Sequence, residues 1–178
     1  NFDGSDLLIY GAVKREEPLP ADSRLDVIVT VEGPAAQQRV RRKSRVFGIW
    51  INTDVVTIDR APSYYSVSTT RPFNEIISDT EDLRNSISIP RAIRSVGAPQ
   101  TVQDSQAFTD ALIRLRESKG LYNLDEGGVS LVDQTLFRTD VDLPANLVEG
   151  NYKTRMFLLR DKHVIALHEQ TIFVRKVG

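Results

Sequence analysis

Leu147-Val148-Glu149-Gly150-Asn151-Tyr152 leads into Lys153-Thr154-Arg155-Met156-Phe157-Leu158-Leu159, an apolar run entered through a glycine turn. A tyrosine two residues after a glycine, at the start of such a run, has the placement of a tyrosine corner. There the ring packs beneath the loop and the hydroxyl bonds backbone upstream, as in immunoglobulin-like sandwiches. Gly-x-Tyr alone is common, and the weight here comes from the position of Tyr152 at the second-to-last strand. Residues 164–174 supply the last strand, joined to it by Arg160-Asp161-Lys162-His163, which reads as a hairpin turn.

Earlier segments carry a period of two. Leu25, Val27, Val29 and Val31 alternate with Asp26, Ile28, Thr30 and Glu32, and Phe137, Thr139, Val141 and Leu143 alternate with Arg138, Asp140 and Asp142. Val46-Phe47-Gly48-Ile49-Trp50-Ile51 is denser, and this predicts a central strand covered on both faces. The middle of the chain changes character. Arg71-Pro72-Phe73 can open a helical turn, and Thr80-Glu81-Asp82-Leu83 places a cap before two acids. Residues 104–119 read as the strongest helix, because Phe108, Ala111, Leu112 and Leu115 form one apolar stripe before Gly120. The expectation is a mainly β protein, with immunoglobulin-like antiparallel β-sandwich lobes at 1–70 and 121–178 and a helical insertion at 71–120. The two lobes are expected to pack as one compact unit.

The chain has 178 residues, with 23 Lys plus Arg against 24 Asp plus Glu, so its formal net charge is −1. That neutral balance argues against a dedicated nucleic-acid binder, and the length suffices for a core without staples. No run approaches the roughly 18 apolar residues of a membrane span. Cysteine is absent, which excludes disulfides, thiol nucleophiles and cysteine-based zinc sites. The opening Asn1-Phe2-Asp3-Gly4-Ser5 is a polar turn rather than a charged and apolar leader.

Chemistry-bearing motifs are sparse. No GxSxG, GxGxxG or GxxxxGK[ST] occurs, so neither a serine nucleophile nor a phosphate cradle is signalled. His163 and His168, the two histidines, lie five apart and on opposite faces of a strand, which suits surface positions better than a metal pair. No catalytic residue, metal ligand or cofactor is expected. Arg39, Arg41, Arg42, Lys43 and Arg45 place five cations in seven residues, with Arg39, Arg41, Lys43 and Arg45 on one face by alternation. Such a strand is either a solvated edge that resists aggregation or a patch for anions and phosphate headgroups. Arg91 and Arg94 would share a helix face within the insertion, where recognition residues are often carried, and could bind an anionic partner or pair with local acids. Glu75, Asp79, Glu81 and Asp82 form the densest acidic group and fit helix N-termini. Trp50 is expected in the core, and of Tyr64 and Tyr65 at most one is exposed.

Five stretches carry a family resemblance: Ile9-Tyr10-Gly11-Ala12-Val13-Lys14-Arg15, Val40-Arg41-Arg42-Lys43, Phe47-Gly48-Ile49-Trp50-Ile51-Asn52-Thr53, Ala107-Phe108-Thr109-Asp110-Ala111-Leu112-Ile113-Arg114 and Leu143-Pro144-Ala145-Asn146-Leu147-Val148-Glu149-Gly150-Asn151-Tyr152. Over nearly its whole length the chain resembles the alphaproteobacterial putative transmembrane protein family. The resemblance implies a secretory signal before this region, a further β segment preceding residue 1 that bears on the pairing of the first strand, and one membrane helix after it. These residues would then be the extracytoplasmic part, on the periplasmic side of the inner membrane. The family attaches no activity or catalytic residue to any position. The function expected is therefore non-enzymatic, with another envelope or membrane protein as partner, no nucleic acid, and membrane attachment through a helix beyond these residues. The rival expectation is a carbohydrate or small-anion module using Trp50, one of Tyr64 and Tyr65, or the 39–45 strand. A third is an envelope hydrolase with paired carboxylates, whose geometry would be set by folding rather than by spacing.

Overall fold

Residues 25–31 are all buried, although their sequence alternates, because the strand that holds them has cover on both faces. The computed structural model describes residues 4–14, 23–35, 38–58, 61–93 and 105–177. Strand β1 is Ser5–Ala12, β2 Leu25–Glu32, β3 Gln38–Val46, β4 Ile49–Ile58 and β5 Tyr65–Thr69. Helices α1 (Phe73–Ile76), α2 (Asp79–Asn85), α3 (Ile89–Ala92) and α4 (Ser105–Ser118) come next. Strands β6 (Tyr122–Glu126), β7 (Val129–Val132), β8 (Leu136–Leu143), β9 (Gly150–Arg160) and β10 (His163–Val174) complete the described chain.

The protein is mainly β. One sheet runs β10-β9-β2-β5-β6, a second runs β1-β8-β7, and β3 and β4 form a hairpin of their own. Strands from before and after the helical segment thus share sheets. On one face of β2, Val27 and Val29 pack with Val129 of β7 and Phe137 of β8. The other face carries Ile28, paired with Phe157 of β9, and meets the helices. There the Tyr65 hydroxyl donates to the Ile87 carbonyl. Burying each such aliphatic side chain is worth about 1.5–3 kcal/mol, which makes β2 the spine of the molecule.

Two expectations are corrected. The five-stranded sheet is not wholly antiparallel, since β5 and β6 run parallel. Parallel neighbours cannot be joined by a tight turn, and the helical segment is the crossover between them. Residues 46–51 do not form a central strand. They turn the β3–β4 hairpin, where Ile49 is 66% and Trp50 67% exposed. Trp50 is therefore not a core residue. The expectation that at most one of Tyr64 and Tyr65 is exposed is met: neither reaches solvent, because both faces of the sheet at β5 are covered. Tyr64 donates to the Asp142 carbonyl of β8, on the side opposite the one Tyr65 faces.

The strongest predicted helix is found as α4, with Phe108 and Leu112 buried and Leu115 at its exposed margin. Residue 104 lies outside the described residues. The cap of α2 is Ser78 rather than Thr80: its hydroxyl accepts from the Glu81 amide at 3.2 Å. The hairpin between β9 and β10 turns through Asp161 and Lys162, both at positive φ.

Candidate functional site

Among the described residues β1 is paired only with β8, and β10 only with β9, so each presents one free edge. Between these edges the two sheets part and leave an apolar groove of about 780 Å³. Leu7 and Ile9 of β1 stand opposite Val141 and Thr139, both buried, and so point inward. Met156 and Leu158 of β9 and Ile172 of β10 form the facing wall, with Val27 and Phe137 also lining the groove. Gly11 gives the Phe137 ring its space, since a Cβ there would lie 2.6 Å from the ring. β10 is 12 residues long and mostly exposed, with Glu169 as its single carboxylate. After an irregularity at Val164/Ala166 its pairing is regular to Val174. A long, sparsely charged edge of this kind is open to pairing with another strand.

Tyr152, at the start of β9, is fully buried and donates its hydroxyl to the Val148 carbonyl at 2.6 Å. The bond runs four residues back along the chain. Burial raises the Tyr152 phenol to about 12. Its ring centroid is 6.1 Å from that of Tyr64, whose phenol is also raised by burial. Gly33 fits against both, since a Cβ there would fall 3.0 Å from Tyr64 and 3.1 Å from Tyr152.

The predicted surface cations separate in space. Arg39, Arg41, Lys43 and Arg45 lie on β3, where the register sets Thr57, Val55, Asn52 and Trp50 across from them. No carboxylate opposes these four, whereas Asp54 stands across from Arg42. Lys43 and Arg45 are exposed. The turn beyond them uses Phe47 at φ 50° and Gly48 at φ 81°. A two-residue hairpin of this kind favours Asn or Gly first, and a bulky residue at positive φ is strained by about 1–2 kcal/mol. Phe47 is fully exposed all the same.

Arg91 lies on α3, where its Nη1 donates to the Asp79 carbonyl and stands 3.6 Å from Asp82 Oδ2. Arg94 lies outside the described residues. The acidic group serves local structure. Glu81 pairs with Arg84 at 2.8 Å and accepts from the Val164 amide at 3.2 Å. Asp82 accepts from the Ile87 and Ser88 amides at 3.2 and 2.7 Å. On the outer face of the smaller sheet Asp6 stands opposite Asp142. A hydrogen bond shared with that carboxyl, and its charge, raise the pKa of Asp6. His163 and His168 are exposed, and no metal-holding cluster occurs among the described residues. Trp50 and Tyr64 or Tyr65 are not brought together, so they form no sugar-binding groove.

Sequence reasoning passed over Arg155, a cation inside an apolar run. Its Nε donates to Thr30 at 3.1 Å, Nη1 to the Asn85 carbonyl at 2.7 Å, and Nη2 to Tyr65 and the Ser86 carbonyl, each at 3.1 Å. Ser86 ends α2 in the left-handed region, so Arg155 ties that helix end to the sheet. Its guanidinium also lies 5.0 Å from the centre of the Phe157 ring. The groove was missed as well. Its walls come from opposite ends of the chain, and no local pattern joins them.

The family model for putative transmembrane proteins, alphaproteobacterial by name, spans residues 1–178, and the chain belongs to that family. The comparisons with curated proteins and with solved structures found no match. No helix among the described residues is long and apolar enough to cross a membrane.

Proposed function

We propose that this member of the putative transmembrane family is a non-catalytic binding domain whose groove between β1 and β10 receives an extended segment of another envelope or membrane protein. One observation carries the reading: an apolar groove bounded by two strand edges that are free among the described residues. A strand entering it gains main-chain hydrogen bonds at an edge, and its alternate side chains fill the space between Ile9 and Met156. The immunoglobulin-like character of the two-sheet part is supported by the Tyr152 corner. The resemblance supports a periplasmic setting, with attachment through a membrane helix outside these residues. The non-catalytic reading is supported by the engagement of Glu81 and Asp82 with backbone amides and arginines.

Site-specific photo-crosslinking tests this in cells, with the reactive residue at Leu167 or at Tyr10. Adducts should form with an extended segment of an envelope protein, and Met156→Lys should reduce them at least tenfold while the melting temperature changes little. A control at Leu83, exposed on α2, should give none. Equal adducts at all three sites, or adducts that Met156→Lys leaves intact, would overturn the groove reading.

The small-anion alternative draws on a polar recess of about 360 Å³ lined by Glu32, Arg84, Lys153 and Arg155. Four bonds already occupy Arg155, and Lys153 stands 3.8 Å from Glu32. A rise in melting temperature with sulfate or phosphate, lost in Lys153→Gln, would favour this alternative.

A further inference from the structure

We propose that the tip of the β3–β4 hairpin is a membrane-contact element, seating Phe47, Ile49 and Trp50 in the interfacial layer of an anionic bilayer while Lys43 and Arg45 meet lipid phosphates. Three large apolar side chains stand at one turn, 101%, 66% and 67% exposed respectively. Of the 23 cations in a chain of net charge −1, five fall in the strand that leads to this turn. The register sets no carboxylate opposite Arg39, Arg41, Lys43 or Arg45.

Strand geometry fits the layers of a bilayer. At about 3.4 Å per residue, Arg45 lies some 7 Å and Lys43 some 14 Å behind Phe47. Apolar side chains of interfacial segments reach about 5–10 Å below the headgroups, so cations spaced in this way fall at phosphate level. Tryptophan suits the boundary, because its ring is apolar and its N–H can stay hydrated. The turn itself gains nothing from phenylalanine at positive φ, so the side chain is the feature to be explained. A phosphate surface complements the exposed Lys43 and Arg45, whereas a buried protein interface would have to supply a partner for each of the two. This contact is independent of the β1/β10 groove and needs no occupant there.

Trp50 is the only tryptophan, so its fluorescence reports on the tip directly. The 178-residue chain is titrated with phosphatidylglycerol vesicles and, separately, with phosphatidylcholine vesicles. With the anionic vesicles, emission should shift to the blue and be quenched by lipids brominated near the headgroup. The shift should weaken as salt rises. Neutralising Lys43 and Arg45 to glutamine should weaken partitioning about fivefold per charge, roughly 25-fold together. Phe47→Asn, which suits the turn and preserves the fold, should also weaken it, while Leu83→Ser should not. Emission that keeps its solution value in anionic vesicles, or a shift unaffected by Phe47→Asn, would overturn the proposal. Equal partitioning into phosphatidylcholine would overturn the assignment of Lys43 and Arg45 to phosphate.

Discussion

At the scale of single residues, Tyr152 and Arg155 hold the second-to-last strand in place by different means. The Tyr152 phenol is raised from 10.0 to about 12 by burial, so the folded state favours the neutral form. Its contribution is complete below pH 10 and is lost as the pH rises toward 12. Tyr152→Phe should cost about 1 kcal/mol at neutral pH through the lost bond to Val148. It should also flatten the alkaline decline, by about 1 kcal/mol at pH 11. Urea titrations at neutral pH and at pH 11 check both effects. Arg155→Met removes the donor to two helix-end carbonyls and should cost about 3 kcal/mol, measured as a lower urea midpoint. Arg155→Lys should recover less than half of that, because one ammonium cannot span acceptors placed for a planar fork. Tyr152 was legible in the sequence because its signal is local, a glycine turn followed by an apolar strand. Arg155 was not, because its acceptors lie up to 125 residues away.

At the scale of elements, the β3–β4 hairpin sets local backbone cost against exposed side chains. Phe47→Asn should relieve the turn and stabilise the hairpin by about 1 kcal/mol. Amide exchange along β3 and β4 should then slow about fivefold even as vesicle partitioning weakens. Apolar density misplaced this element, since Val46-Phe47-Gly48-Ile49-Trp50-Ile51 looks the same whether a strand is covered on both faces or its tip is bare. Phe47-Gly48 was the available clue, a glycine where a two-residue turn could close. Strands with regular alternation, at 25–32 and 137–143, were found where the period placed them, and 164–174 where the hairpin turn placed it. The β10 edge could not be foreseen, because no period says which strands finish at the border of a sheet.

At the scale of the whole molecule, burial grades outward from β2. Its amides and those of β9 should exchange only through global unfolding, while β3 and β4 exchange through local opening. Hydrogen exchange at several urea concentrations separates the two, because only global opening carries the full urea dependence. The parallel β5–β6 pair escaped sequence reasoning because strand direction leaves no mark on alternation. Its consequence is that residues 71–120 cannot be excised as an accessory, since they carry the chain from one strand of the main sheet to its parallel neighbour. The β2–β9 pairing sets a further condition. Leu25 waits for Arg160, so a ribosome must have made nearly nine-tenths of these residues before the central ladder can close. Such distant partners make for slow folding, and for most of its synthesis this polypeptide stays open to whatever handles unfolded chains.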